Sequence, residues 1–283
     1  MVRKVIRAGG PPKGAFIMKQ NAVVFLILAG AMLAPRPASS QSIWLPRDID
    51  RSVTLEFLKP DFDEDLSSDE DFMTGAAFLS TRLPLSSKLS FIGQIPFARY
   101  SGPGISDGAL GNVYVGIEER GSGSLFGEFG IYLPTSSDNA PNALVTGLLS
   151  DVARWEAYFD NTVSAQAALN YHRVTPSHFM VGLRVGPALL IPTESNIDKE
   201  IYANYSGRIG YEDRLWRAGA GLTGRMLLTQ GNLSLSERTV HQFEVHADVG
   251  RGTIRPGIEL KIPLGDLGES IPMVLGASLT LVL

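Results

Sequence analysis

The 283-residue sequence contains no cysteine. That absence excludes disulfides, thiolate metal sites and cysteine nucleophiles, and it removes the residue that anchors a bacterial lipoprotein. Beyond residue 41 no apolar run is long enough for a membrane helix, which takes about 20 residues. No fixed internal repeat occurs, so a solenoid is excluded. Basic residues are concentrated at the start: Arg3, Lys4, Arg7, Lys13, Lys19 and Arg36 fall within the first 40 positions, and no acidic residue does. The chain from Gln41 onward is therefore more acidic than the net charge of −4 of the whole sequence. It lacks the basic face that nucleic-acid binding requires, and no nucleic-acid partner is expected.

The first 40 residues read as a secretory signal peptide. A positive start precedes an apolar run, Ala22 to Leu33, and a small-residue exit, Ala38-Ser39-Ser40, ends before Gln41. That order is the export pattern. Met18-Lys19 is a second natural start, which would leave residues 1–17 upstream of it. The expected organisation is a signal peptide over 1–40 and one domain over 41–283.

From Gln41 onward apolar residues recur with period two, the signal of strands with two different faces. Val53, Leu55 and Phe57 oppose Thr54 and Glu56. Phe243, Val245, Ala247 and Val249 oppose Gln242, Glu244, His246 and Asp248. Ile254, Ile258, Leu260 and Ile262 oppose Arg255, Glu259 and Lys261. A soluble sandwich would carry Lys and Glu on its solvent face. Here the polar face mixes Gly, Ser, Asn, Gln and Arg, which suits a lumen. A mean hydropathy of +0.08 fits a transmembrane barrel, because half of its strand positions face a polar interior. Short connections (Pro84–Lys88, Gly121–Ser124, Gly250–Gly252) alternate with long polar ones (Pro60–Asp71, Ser101–Gly111, Thr135–Asp151, Pro192–Glu200, Thr229–Glu237). That is the rim asymmetry of outer-membrane barrels.

The expected fold is therefore all-β, an antiparallel up-and-down transmembrane β-barrel in the bacterial outer membrane of a Gram-negative cell. Thirteen segments alternate, whereas single-chain bacterial barrels have even strand numbers. Reading 152–160 and 162–174 as one long strand across Asp160-Asn161 predicts about 12 strands, with about 10 or 14 as the alternatives. Backbone groups in hydrocarbon must all be paired, so such a sheet has to close. The aromatics Tyr100, Tyr114, Tyr132, Trp155, Tyr205, Tyr211 and Trp216 are candidates for interfacial girdles. Outer-membrane lipid, the barrel-assembly machinery and a small-molecule solute are the expected partners.

Two stretches carry a family resemblance. Gly108-Ala109-Leu110-Gly111-Asn112-Val113-Tyr114-Val115-Gly116-Ile117-Glu118 resembles the Gly-x-Gly-Asp-hydrophobic strand opening of outer-membrane channel proteins linked to phenol meta-cleavage operons. Gly130-Ile131-Tyr132-Leu133-Pro134-Thr135 resembles their Leu-Pro-Thr-Gly strand end, and Ile191-Pro192-Thr193 looks like a second copy. Asn112 stands where the family has Asp, and Ser136 and Glu194 stand where it has Gly. The chain also ends on Leu283 rather than on an aromatic. The resemblance implies a porin-like barrel of about 12 strands that takes up small hydrophobic compounds.

The candidate lumen-lining residues are Glu118, Glu128, Arg184, Arg208, Arg217, Arg225, Glu244, His246, Asp248, Arg255 and Glu259, arranged as cross-strand charge ladders. Wet ladders would set the selectivity of a pore, whereas interlocked ones would fill a narrow barrel. Glu244-x-His246-x-Asp248 has the residue types of a rim protease of the omptin kind, but general-base chemistry needs a carboxylate placed across the site. Pairing with Arg217, Arg225 or Arg255 is the default reading. His172, Ser177 and His178 are the residue types of a lipase, but they fall in or beside a turn. Asp61, Asp63 and Asp65 are spaced like a calcium loop without its Gly and terminal Glu, so the acidic run 61–71 reads as a solvated surface loop. No metal, cofactor or catalytic residue is assigned. The expected function is a passive channel or transporter for small molecules and not an enzyme. A structural or surface-binding barrel with a filled lumen is the second reading, and an outer-membrane hydrolase the third.

Overall fold

The computed structural model describes residues 51–62, 73–102, 104–119, 124–136, 139–194, 198–230, 233–250 and 252–283. The expected signal peptide, most of the acidic run, residues 121–123 and Arg251 lie outside the described residues. The strands are β1 (Ser52–Asp61), β2 (Gly75–Pro84), β3 (Leu89–Gly102), β4 (Ile105–Leu110), β5 (Tyr114–Glu119), β6 (Leu125–Tyr132), β7 (Thr162–Val174), β8 (Phe179–Pro192), β9 (Glu200–Glu212), β10 (Trp216–Leu227), β11 (Thr239–Val249), β12 (Ile254–Leu264) and β13 (Met273–Val282). Neighbouring strands in the sheet pair antiparallel, and β1 pairs with β13 from Ser52↔Val282 to Asp61↔Met273. That last pairing closes the sheet.

The ring has 12 staves although there are 13 strands. The lower half of β3 pairs with β5 (Leu89↔Glu119 to Gln94↔Tyr114), and its upper half pairs with β4 (Phe97↔Leu110 to Gly102↔Ile105). So β4 and β5 are one stave broken at Gly111–Val113. The stretch Ser101–Gly111, expected to be a loop, is a hairpin in which Ile105–Leu110 folds back on β3.

The expected strand number holds, but one route to it does not. Residues 152–160 are no strand and do not continue into β7. They belong to a plug formed by helix α1 (Pro141–Ser150) and a 3-10 helix (Val152–Ala157). Asn161 then turns the chain at positive φ into β7. The parity that suggested a continuous strand, Ala153, Trp155, Ala157, comes from a short tight helix. Proline at the first turn of α1 sits where its missing N–H costs nothing.

Alternation places the two faces. Leu55, Leu79, Ile95, Phe97, Val115, Ile117, Phe129, Val185, Ile209, Leu222, Ile258 and Leu275 are exposed. They are the period-two partners of buried Glu56, Ser80, Gln94, Glu118, Glu128, Arg184 and Lys261. Apolar outside and charged inside is the inverse of a soluble domain, and it matches a barrel facing lipid. Among the described residues no helix is long and apolar enough to cross a membrane. The connections at 85–88, 175–178 and 213–215 are short and share a rim with residues 51 and 283. The plug segment and the connections after β8, β10 and β12 leave from the other rim. Short turns mark the periplasmic end and long ones the outside.

Girdle aromatics separate in the same way. Tyr211 and Trp216 stack at 4.4 Å at the short-turn rim. Tyr205 faces outward and shares a 2.7 Å hydrogen bond with His241. Tyr114 and Tyr132 are fully buried instead, and Trp155 belongs to the plug. These three are not girdle residues.

A charged lumen closed by its own plug

The plug is held on three sides by different forces. Towards β1–β4 the contact is apolar. Ala140, Ala143 and Leu144 of the α1 region pack with Leu58, Ala76, Phe78, Ile92, Ala98 and Ala109, and Tyr158 joins them. These inward residues are apolar because a helix covers them there. Tyr158 meets Phe78 edge-on at 5.8 Å and donates to the Phe97 carbonyl at 3.1 Å.

The break in the β4–β5 stave is the second anchor. Asn112 Nδ2 donates to the carbonyls of Glu156 (3.0 Å) and Phe159 (2.6 Å), and its Oδ1 accepts from Ser136 N (3.0 Å) and Oγ (2.8 Å). Asn112 N donates to the Ala157 carbonyl at 2.6 Å. A carboxylate at this position could not donate to two carbonyls. Gly111 is required here, since a Cβ would stand 2.3 Å from the Ala157 carbonyl oxygen.

The third anchor is ionic. Arg154 sits at its centre. Its Nε donates to Asp151 Oδ2 at 2.6 Å, its Nη1 donates to Glu56 Oε2 at 3.0 Å, and its Nη2 donates to Glu56 Oε1. The guanidinium also stacks on Phe78, 3.6 Å from the ring centroid. Lys261 Nζ reaches Asp151 Oδ2 at 2.8 Å and Glu259 Oε2 at 3.4 Å. On the next side Arg225 of β10 grips Glu156 with two bonds, Nη1 to Oε2 at 2.9 Å and Nη2 to Oε1. It also donates to the Val152 carbonyl at 3.2 Å. Gln242 Oε1 accepts from Val152 N at 3.1 Å.

The expected lumen residues are mostly committed to one another. Glu128 accepts from Arg184 at 2.5 Å and from Tyr114 Oη at 2.9 Å. Glu244 accepts from Arg208 Nε at 2.6 Å. Asp248 is shared between Arg217 (2.9 Å) and Arg255 (3.0 Å). Glu118 pairs with Arg82, and Glu259 lies beside Lys261. Arg225 turns to the plug rather than to the Glu244-x-His246-x-Asp248 face. His246 lies between Glu244 and Asp248, and both of those carboxylates are committed to arginines. Ser177 Oγ bonds with Thr175 Oγ1 at 2.9 Å, whereas His178 Nδ1 faces the Glu212 carbonyl at 3.2 Å. His172 faces the Glu212 carboxylate at 3.5 Å. Among the described residues no three or more of His, Asp and Glu are grouped to hold a metal ion.

Sequence reading missed Arg82, Glu56, Lys261, Asp151, Arg154 and Glu156 as site residues. The first three carried a usable signal, since each lies on the polar parity of its strand. The plug residues carried theirs in the preceding run Pro141–Ser150, where Leu144 and Leu148 recur at helical spacing.

Below the plug lies a cavity of about 110 Å³, bounded by Glu56, Arg154, Arg208, His246, Glu259 and Ser278 among others. Asp151 lies in its roof. Burial pushes the Asp151 carboxyl up, but Lys261 and Arg154 outweigh burial and hold it well below the usual carboxylate range. A lowered native pKa adds stability that is fully present above the unfolded value of about 3.9 and lost as pH falls through the native one. The denaturant midpoint is therefore expected to stay level on this account from neutral pH down to about 5, and to fall below about 4. Unfolding curves of detergent-folded protein across that range check this. A drop already complete by about pH 5 contradicts it.

No family model and no curated protein matches the chain. Among solved structures it is similar to an outer-membrane channel from Pseudomonas putida F1, at 13% identity over 88% of this chain and 100% of that one, with a TM-score of 0.56. It is also similar to LpxR from Salmonella typhimurium, at 11% identity over 82% of this chain and 100% of that one, with a TM-score of 0.50. The expectation that the chain is not an enzyme does not stand on this fold, because channels share it with the outer-membrane barrel enzyme LpxR and the fold by itself excludes neither activity. At these identities the likeness is one of fold: the chain has the fold of outer-membrane β-barrels.

Proposed function

We propose that this chain is a passive outer-membrane channel for small molecules, closed at rest by its plug. The observation that supports this reading is the uneven seating of the plug. Its apolar side is packed, and its ionic side is bonded except at Arg225 Nε. On the β6–β7 side Tyr132 Oη, Ser164 Oγ and Asn170 Nδ2 are buried without a hydrogen-bond partner, as is Trp155 Nε1 of the plug. Each such group costs about 1–3 kcal/mol, and water entering along this wall would recover that energy. A hydrated path thus opens with least loss beside β6 and β7, past the charged residues of the lower lumen. The channel likeness of the fold and the resemblance to phenol meta-cleavage channel proteins both favour solute uptake, with small hydrophobic compounds as the finer reading. Export by the leader 1–40 belongs to the same proposal.

The apolar core between α1 and β1–β3 favours a second reading, a structural barrel with a permanently filled lumen. Planar-bilayer recording separates the two. Wild-type protein is expected to give small openings, and a variant with residues 139–158 replaced by a short Gly-Ser linker a several-fold larger steady conductance. Silence from both proteins sinks the channel reading and leaves the second.

A further inference from the structure

The cavity below the plug has a floor that closing the lumen does not explain. Arg208 of β9 lies across Gly221 of β10 to reach Glu244 of β11, and His246 of β11 lies across Gly219 from the other side. A Cβ at Gly221 would stand 2.8 Å from Arg208 Cγ, and one at Gly219 2.9 Å from His246 Cε1. The two glycines thus let a guanidinium and an imidazole share one shelf on the border of the cavity. Arg208 gives only its Nε to Glu244. Among the described residues its two terminal nitrogens and the ring nitrogens of His246 have no hydrogen-bond partner. Glu244 and Asp248, on either side of His246, are already held by Arg208, Arg217 and Arg255. The shelf therefore offers donors to an anion.

The neighbouring wall is short of a cation. His246 pairs in register with Glu259 of β12, one strand spacing or about 5 Å away. Glu259 lies across Gly276 and shares a hydrogen bond with Glu56, which two bare carboxylates cannot do. Glu56, Asp151 and Glu259 are three carboxyls, and Arg154 and Lys261 are the two cations bonded among them. Lys261 stands 2.8 Å from Asp151 but 3.4 Å from Glu259, so Glu259 is the least well matched of the three. Ser278 Oγ, on the same border of the cavity, has no hydrogen-bond partner among the described residues either.

We propose that this cavity binds a small zwitterion of the α-amino acid class, its carboxylate on Arg208 and His246 and its ammonium on Glu259 and Ser278. A carboxylate takes paired bonds from the free edge of a guanidinium, and a neutral imidazole adds one N–H. The ammonium supplies the third cation that Glu56, Asp151 and Glu259 lack, in place of the proton in the Glu56–Glu259 hydrogen bond. The two halves of the site sit one strand spacing apart, the span of a molecule that carries both charges on one carbon. At about 10–15 Å³ for a water, a cavity of about 110 Å³ has room for a small amino acid. A solute with a single charge would leave one wall unmatched. Such a zwitterion is a polar class of solute beside the hydrophobic compounds of the channel reading, and its route through the barrel rests on that reading.

The test is isothermal titration of the detergent-folded full chain with three probes: L-alanine, propionate, which lacks the ammonium, and ethylamine, which lacks the carboxylate. Wild type should bind alanine about tenfold more tightly than either of the others, since each of them loses a charge-assisted contact. Arg208→Gln should weaken alanine about tenfold and leave ethylamine unchanged, whereas Glu259→Gln should weaken alanine about as much and leave propionate unchanged. Heat-modifiable gel migration reports folding, and the wild-type comparison of the three probes stands if a variant does not fold. Wild type that binds propionate or ethylamine as well as alanine, or that shows no saturable alanine binding, overturns the proposal. Equal weakening of all three probes by both variants overturns it too, because that marks a structural role alone. Conducting bilayers without alanine binding sink the site and leave the channel, and alanine binding by a protein that never conducts keeps the site and sinks the channel.

Discussion

Replacing Arg154 with Met is expected to lower unfolding stability by about 3–5 kcal/mol, the cost of stripping one partner from a buried ionic cluster. Arg154 uses all three of its nitrogens, Nε for Asp151 and both Nη atoms for Glu56. Without it Asp151, Glu56 and Glu259 face Lys261 alone. Three carboxylates around one ammonium cannot all stay ionised out of water. Water must enter or the plug must move, and either outcome loosens the closed lumen. Arg154→Lys keeps the charge but cannot form the fork, so its loss should fall between wild type and Arg154→Met. Denaturant unfolding in detergent, followed by gel migration and tryptophan fluorescence, measures both. An Arg154→Met protein within about 1 kcal/mol of wild type would mean the cluster is already solvated and the plug is held by its apolar side.

That cluster also shows where sequence legibility ended. Strand faces were readable because a membrane barrel imposes period two on every stave. Glu244, Asp248, Arg217 and Arg255 therefore emerged as inward residues, and Asp248 does serve both of those arginines. Partner choice was not readable, because it depends on register and on what occupies the lumen. Arg225 is inward by parity, but its partner Glu156 comes from a segment 69 residues away in the chain. The plug itself was misread because Val152–Ala157 has alternating polarity, the pattern of a strand, while being only six residues long. Short segments of that length are where periods of two and of three to four are hardest to tell apart. The break at Asn112 was visible only as a departure from the resembling family's Asp, and its meaning came from the two carbonyls its amide satisfies.

The pair between Arg225 and Glu156 should show an asymmetry that distinguishes a fastening from a source of net stability. Both side chains are 1% exposed or less, so each carries a desolvation penalty that their bonds offset. Arg225→Met alone leaves Glu156 buried and charged, and should cost about 3–5 kcal/mol. Arg225→Met combined with Glu156→Leu removes both charges and fills similar volume. The rings of Trp155 and Tyr202, now 5.3 Å and 5.0 Å from the guanidinium carbon, would pack on the methionine. The double variant should therefore recover most of the loss, and stability within about 1–2 kcal/mol of wild type is expected. The plug would then be fixed on its β10 side by a greasy contact that ions and water cannot unfasten. In planar bilayers that variant should conduct no better than wild type, whereas Arg225→Met alone should conduct more. A double variant as unstable as the single one would show that Arg225 acts through its bond to the Val152 carbonyl rather than through the ion pair.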